Sequence, residues 1–196
     1  MDFLKFVSDA RTCRRYDGAG ELGKATLSRL VDCARLTPSA GNGQVLRYFT
    51  VSNPKMREKL YPALKWAAAL PEWGGPEANE RPTGYIVIAG PRDQEGKTPF
   101  TAHIDLGIAA QTIQLAAWHE GIGACMFLSF NPKMIEELLP VPEGMGALLV
   151  IALGKAREVR RLAPLREDGG TKYYRDTQGV HYVPKRELGE VLLGEY

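Results

Sequence analysis

The sequence predicts one mixed domain of helices and strands, α+β or α/β, with composition unable to choose between the two. Three observations predict it. Stretches with helical apolar spacing alternate with short, β-branched apolar runs along the whole chain. One stretch, residues 99–120, is long and apolar on more than one side, which suits a helix in a core or at a subunit interface. A length of 196 residues fits a single domain over 1–196, with little room for two.

The elements follow in order. Residues 2–9 carry Phe3, Leu4, Phe6 and Val7 and read as a short amphipathic helix with Asp2 as its cap. A basic run, Arg11-Thr12-Cys13-Arg14-Arg15, comes directly after it. Residues 24–36 place Leu27, Leu30, Val31 and Ala34 at helical spacing. The stretch 37–44, Thr-Pro-Ser-Ala-Gly-Asn-Gly-Gln, is a loop on composition, and 45–51 reads as a strand. Residues 54–69 are helical in composition, with Pro54 tolerated in a first turn. Residues 71–82 are rich in Pro, Gly and acids and read as a loop or lid. Tyr85-Ile86-Val87-Ile88-Ala89 is a buried strand ended by Gly90-Pro91. The long helix over 99–120 is closed by Gly121-Ile122-Gly123. A short strand over 124–128, a short helix over 133–139 and the clearest strand, 147–153, follow. A basic, irregular tail runs to Asp176, then a short strand over 180–183 and a last helix over 185–193.

Composition narrows the function classes. Hydrophobic residues at 44% and charged residues at 24% are ordinary for a globular protein, and a net charge of +2 leaves any work by positive charge to local patches. The three cysteines, Cys13, Cys33 and Cys125, are widely spaced and form no C-x-x-C pair, so no zinc, iron–sulfur or disulfide framework is expected. The first sixteen residues interleave acid and base, unlike a signal peptide. No apolar run approaches the roughly 20 residues of a membrane span. The expectation is a cytoplasmic protein with no membrane and no nucleic-acid partner.

His103, His119 and His181 are isolated, with no partner at metal spacing, and no nucleophile–histidine set or phosphate loop can be assembled. No catalytic side chain and no metal site is assigned, so a bound cofactor is expected to supply the reactivity. Three constellations are candidates to hold it. Arginine forks pair with phosphate oxygens in bidentate fashion and a hydroxyl adds a donor, so the run 11–15 suits a phosphate monoester. Taken alone, the segment reads first as a solvated basic turn, because charge runs are usually solvated faces. Small residues in Pro38-Ser39-Ala40-Gly41-Asn42-Gly43-Gln44 let a flat ligand approach the backbone, or make a simple helix-to-strand turn. Gly121 to Ser129 offers glycines, apolar residues and a hydroxyl for one face of a ring, or a buried strand after a helix C-cap.

Together, in this order and at these separations, the three constellations resemble the FMN-dependent nitroreductase family. Members open with R-x-S-x-R-x-F or a close variant, and the run resembling it here is Arg11-Thr12-Cys13-Arg14-Arg15-Tyr16, with Thr12 for the serine and Tyr16 for the aromatic. Its A-P-S-x-x-N-x-Q-P-W pattern is matched at Pro38, Ser39, Asn42 and Gln44, with Val45-Leu46 in place of Pro-Trp. The exit of the long helix, Ala-Ala-Trp-His-Glu-Gly-Ile-Gly, is similar to the family's L-A-A-x-x-x-G-x-G. The segments 169–176 and 179–186 resemble a branch of small nitroreductase-like proteins.

The resemblance implies an α+β fold with a central, mostly antiparallel sheet flanked by helices. It also implies a homodimer with the long helix at its interface and FMN between the subunits. Arg11, Thr12 and Arg14 would contact the phosphate and ribityl chain; Ala10 stands where some relatives carry another arginine, and Arg15 is optional. Pro38, Ser39, Ala40 and Asn42 would approach the flavin from the opposite subunit, while Met126, Leu128 and Ser129 would run past the ring. Lys172 and Arg175 are the tail cations expected at the phosphate, with Arg160 and Arg161 behind them, and Lys65 is placed near the pyrimidine edge. The implied activity is ping-pong oxidoreduction in which NADH or NADPH reduces FMN and a small electron acceptor, nitroaromatic or quinone, then takes its place. A dehalogenase-like relative and a non-catalytic flavin-binding protein are the alternatives. Trp66 and Trp73 read either as stacking partners for acceptors or as packing.

Overall fold

The computed structural model describes residues 2–196 apart from Ala68 and Pro71. The expected helix over 54–69 and loop over 71–82 each include one of these positions, which lie outside the described residues.

The chain opens with α1 (Phe3–Asp9), where the Asp2 carboxylate accepts from Lys5 N–H at 3.2 Å and caps the first turn. Next come α2 (Lys24–Arg35), β1 (Arg47–Val51) and α3 (Pro54–Leu60), the last capped by Asn53 with Pro54 in its first turn. β2 (Gly84–Pro91), α4 (Phe100–His119) and β3 (Ile122–Phe127) follow, then α5 (Pro132–Leu138) and β4 (Met145–Lys155). The tail holds β5 (Arg160–Pro164), β6 (Tyr174–Arg175), β7 (His181–Lys185) and a four-residue α6 (Leu188–Val191).

The main sheet has the order β1-β2-β4-β3 and every pairing in it is antiparallel, which resolves the fold class to α+β. Both faces of its two central strands are covered, so those strands read as continuous apolar runs. Alternation sends Ile86 and Ile88 into a core with α2 and α4, where they meet Leu27, Leu30, Ile113 and Ile151. It sends Tyr85 and Val87 into a second core with Leu60, Ile135, Val150 and Tyr16. Each fully buried side chain of this size removes ~1.5–3 kcal/mol of apolar exposure. No helix among the described residues is long and apolar enough to cross a membrane.

Three expectations need correction. The helix expected over 54–69 stops at Leu60, passes through a 3-10 turn at Tyr61–Ala63, and leaves Leu64 extended in a bridge to Phe130. Pro62 cannot donate to the carbonyl four residues back, so the helix loses its ladder there. The basic tail is not irregular: β5 pairs in parallel with β7, and β6 pairs antiparallel with β7, in a separate three-stranded sheet. Its pairing is long-range, and Arg160-Arg161-Leu162-Ala163-Pro164 shows no apolar alternation to reveal it. The last helix, expected over 185–193, is only Leu188–Val191, because Lys185 pairs with Pro164 and the helix buries no residue to sustain it.

Candidate active site

The basic run is laid as an extra, irregular strand across the paired ends of β3 and β4. Cys13 N–H donates to Ala124 O at 2.8 Å, Asp17 N–H to Lys155 O at 2.9 Å, and Arg157 N–H to Arg15 O at 3.1 Å. Two glycines that face each other in the ladder, Gly123 and Gly154, make the space for it. A Cβ on Gly123 would lie 2.8 Å from Cys13 Sγ, and one on Gly154 would lie 2.9 Å from the Tyr16 ring. Gly121 has a different task, turning the chain at φ +73° after α4.

The structure sorts the arginines by whether a carboxylate answers them. Arg15 lies 3.4 Å from Glu80, which Arg157 also approaches at 3.8 Å. Arg175 donates from Nε and Nη2 to Glu158 at 3.1 and 2.6 Å and lies over the Trp73 ring at 4.1 Å. Among the described residues, Arg11, Arg14 and Arg160 form no ion pair. Arg11 spends one nitrogen on Val7 O, and its buried Nε has no partner. Arg160 donates to Arg11 O at 2.8 Å and stacks on Trp118 at 4.8 Å. Burial, and then the charge of Arg160, push the Arg11 guanidinium below its ordinary pKa. Arg11 and Arg160 are thus neighbours, and neither is paired with a carboxylate among the described residues.

Arg14 is held from below. Its backbone N–H donates to Glu158 Oε2 at 2.9 Å, its Nη1 lies 3.3 Å from His181 Nε2, and its guanidinium sits over the Tyr173 ring at 4.4 Å. Glu158 and His181 have side chains 1% and 0% exposed, so the tail is locked to the basic run through a buried polar cluster. Burial lowers the His181 pKa to about 4, with Arg14, Arg175 and Arg160 acting the same way and Glu158 opposing.

Arg14 and Lys65 are the two cations lining a cavity of about 350 Å³, whose other walls include Met126, Leu128, Ser129 and Tyr173. Lys65 reaches it because its backbone N–H donates to Ser129 O at 3.0 Å, beside the Leu64–Phe130 bridge. Trp66 packs edge-on against Phe127 at 4.7 Å and against Trp73 at 6.2 Å, so both rings are engaged in packing.

The loop 37–44 lines a different and smaller cavity together with Tyr48 and Asp105. It is a tight turn with Gly41, Asn42 and Gln44 all at positive φ, the last two at 53° and 47°. Such strain persists only where the surroundings impose it. Ser39 Oγ accepts from Gln44 N–H, and the buried Asp105 carboxylate accepts from Ala40 N–H at 2.9 Å. Pro38, Ala40 and Asn42 are exposed.

A family model described as "Nitroreductase family" matches residues 7–155. The chain belongs to the nitroreductase family. A protein of Archaeoglobus fulgidus, provisionally named an NADH dehydrogenase/NAD(P)H nitroreductase, is 27% identical over 79% of this chain and 86% of its own length. Among solved structures, a nitroreductase family protein from Clostridium novyi NT superposes with a TM-score of 0.65 at 22% identity, over 80% of this chain and 86% of that one. An FMN-dependent nitroreductase from Clostridium difficile R20291 matches with a TM-score of 0.61 at 25% identity, over 81% and 90%.

Within the span matched to the nitroreductase family lie Arg11, Thr12, Arg14, the loop from Pro38 to Asn42, and Met126, Leu128 and Ser129. The fold brings Arg14 together with Met126, Leu128 and Ser129 around one cavity, and sets Pro38 and Ser39 on another. Lys172 is exposed, and Arg175 is committed to Glu158. Asp105, Glu158 and Tyr173 were not singled out from sequence. Two had a signal: Asp105 is the one carboxylate within Phe100–His119, and Glu158 the one acid in Lys-Ala-Arg-Glu-Val-Arg-Arg.

Proposed function

We propose that this chain is an FMN-dependent NAD(P)H oxidoreductase that works as a homodimer on nitroaromatics, quinones or similar small acceptors. When bound, FMN supplies the redox chemistry between the nicotinamide and the acceptor. The observation that carries the reading is that Arg160 donates to Arg11 O and that neither arginine is paired with a carboxylate among the described residues, which leaves positive charge there for a terminal phosphate. The cavity walled by Met126 and Leu128, with Arg14 and Lys65 on it, supports the rest: apolar side chains suit a flat ring and the two cations suit its electron-rich edge. In this reading Arg11 and Arg160 hold the phosphate with Thr12 available as a donor, and Arg160 takes the place first given to Lys172 and Arg175. Arg14 and Lys65 hold negative charge on the ring system.

Two features support the homodimer. The Pro38–Asn42 turn is strained, exposed and away from the cavity of its own chain, as expected of a segment serving a neighbour. α4 leaves Phe100, Ile104 and Ile108 exposed along one stripe, at 78%, 47% and 36%.

The test is the visible spectrum of the purified protein, followed by anaerobic titration with NADH and NADPH. A yellow protein bleached by either nucleotide and recoloured by a quinone supports the proposal. A colourless protein that neither binds FMN nor quenches its fluorescence overturns it. A yellow protein that neither nucleotide reduces would leave a flavin-binding role without turnover.

A further inference from the structure

A second cavity, of about 230 Å³, lies apart from the one given to the flavin and shares no wall residue with it. Its frame is made of segments tied to one another. Gly18 N–H donates to Asn79 O at 3.0 Å, Thr83 Oγ1 donates to Gly20 O at 2.8 Å, and the Tyr61 hydroxyl donates to Pro76 O at 3.1 Å. Walls held this way stand before any ligand arrives. Tyr61 lines this cavity and Phe127 lines the other. Between them stands Trp66, with ring centroids 5.7 Å from Tyr61 and 4.7 Å from Phe127, so the second cavity is not an arm of the first.

The polar groups on this cavity are not all spent. Tyr85, on β2, is 1% exposed and lines it, and its hydroxyl makes no hydrogen bond among the described residues. A buried phenol ordinarily has a partner. Burial raises its pKa, with Tyr61 acting the same way and Arg57 and Arg81 opposing, so it is a neutral donor with two guanidiniums nearby. The Arg57 side chain is 12% exposed and reaches Glu21 through Nη2, at 2.8 and 3.0 Å, which leaves Nη1 without a partner among the described residues. Arg81 lies over the Tyr61 ring at 4.0 Å and forms no ion pair among the described residues. Glu21 and Glu58 line the cavity too, and both are exposed. We propose that this cavity is a second ligand site, which takes the carboxylate of a small organic monoanion on Tyr85, Arg57 and Arg81. Guanidiniums and a phenol suit a carboxylate, whereas a second negative charge on the ligand would meet Glu21 and Glu58. A volume of about 230 Å³ falls below the ~300–1,000 Å³ range of drug-sized sites, which suits a short-chain or single-ring acid. The site is independent of the flavin reading.

The experiment titrates the full chain, with FMN in excess, with propionate, benzoate and inorganic phosphate, and follows backbone amide shifts by NMR. Propionate or benzoate is expected to give saturable shifts at Gly18, Glu21, Thr83 and Tyr85. Phosphate, with its second charge, should bind more weakly. Tyr85→Phe removes one oxygen and keeps the ring, and should weaken carboxylate binding by about tenfold, the scale of a hydrogen bond to a charged group. Arg81→Ala changes an exposed side chain and should weaken it in the same direction, which gives a reading even if the core variant does not fold. Shifts confined to Met126–Ser129 would put the carboxylate in the flavin cavity and overturn the proposal. Shifts that do not saturate, or wild-type affinity in every variant that folds, overturn it as well. Phosphate bound as tightly as propionate overturns the monoanion assignment. A protein that holds no FMN defeats the flavin reading and leaves this test as it stands.

Discussion

His181 sits where its usual chemistry is suppressed. Its Nε2 faces an arginine donor, so the neutral ring with the proton on Nδ1 is the form that fits, and that Nδ1 points toward Glu158 Oε1 at 3.8 Å without a bond. With a folded-state pKa of about 4 against an ordinary 6.5, the unfolded chain takes up a proton between these values and the folded chain does not. Stability contributed here is therefore present above pH 6.5 and lost as pH falls toward 4, by up to ~3 kcal/mol. Urea unfolding at pH 7, 5.5 and 4.5 should show this fall, and His181→Phe should flatten it; an equal slope in the variant would count against the assignment. The arginines give a sharper contrast. Arg160→Ala should weaken FMN binding by about tenfold or more, one charge-assisted phosphate contact, with little loss of stability. Arg175→Ala should do the reverse, costing about 3 kcal/mol because Glu158 is left buried and uncompensated. Flavin titration and thermal melts on the two variants separate these outcomes.

At the scale of elements, the site depends on how a strand-like run is admitted to the sheet edge. Gly123 and Gly154 are paired across β3 and β4, and each gives up a side chain to the run above it. Gly154→Ala brings a methyl within 2.9 Å of the Tyr16 ring, which is fully buried and has its hydroxyl on Cys13 O at 2.6 Å. The run cannot yield without losing those bonds. The expected cost is ~1–3 kcal/mol, as for overpacking a core, together with weaker flavin retention because Arg11 and Arg14 move with the run. Flavin affinity equal to wild type in this variant would show that the run is not held from beneath. The loop 37–44 is held in the same indirect manner, by Asp105 reaching up from α4 to Ala40 N–H.

At the scale of the whole molecule, the distribution of exposed apolar surface is the telling feature. α4 turns Ala109, Ala110, Ile113 and Ala117 to the core and leaves Phe100, Ile104 and Ile108 outside. α1 buries none of its residues and leaves Phe3 and Leu4 63% and 80% exposed. The proposed homodimer would cover the α4 stripe. Light scattering is expected to give twice the 21.6 kDa chain mass. Ile104→Glu places a charge in that stripe and should yield a monomer that holds FMN more weakly, since the Pro38–Asn42 turn of a partner would be absent. A monomeric variant with undiminished flavin affinity would remove the loop from the site.

Most elements were legible in the sequence, for a local reason: α2, α4, β2 and β4 announce themselves by apolar runs long enough to cover a sheet or a helix face. The family was legible too, because its marks are short and contiguous, Arg11 to Tyr16 and Pro38 to Gln44. Tertiary structure alone decided which cations remain uncompensated. Arg11, Arg14, Arg15, Arg160 and Arg175 look alike in a linear reading, and only the fold delivers Glu158 to Arg175 and Glu80 to Arg15 while bringing Arg160 to Arg11 with no acid between them. The physical reason is that a charge is defined by what stands a few ångströms away, and here those neighbours come from residues 149 and 17 positions distant.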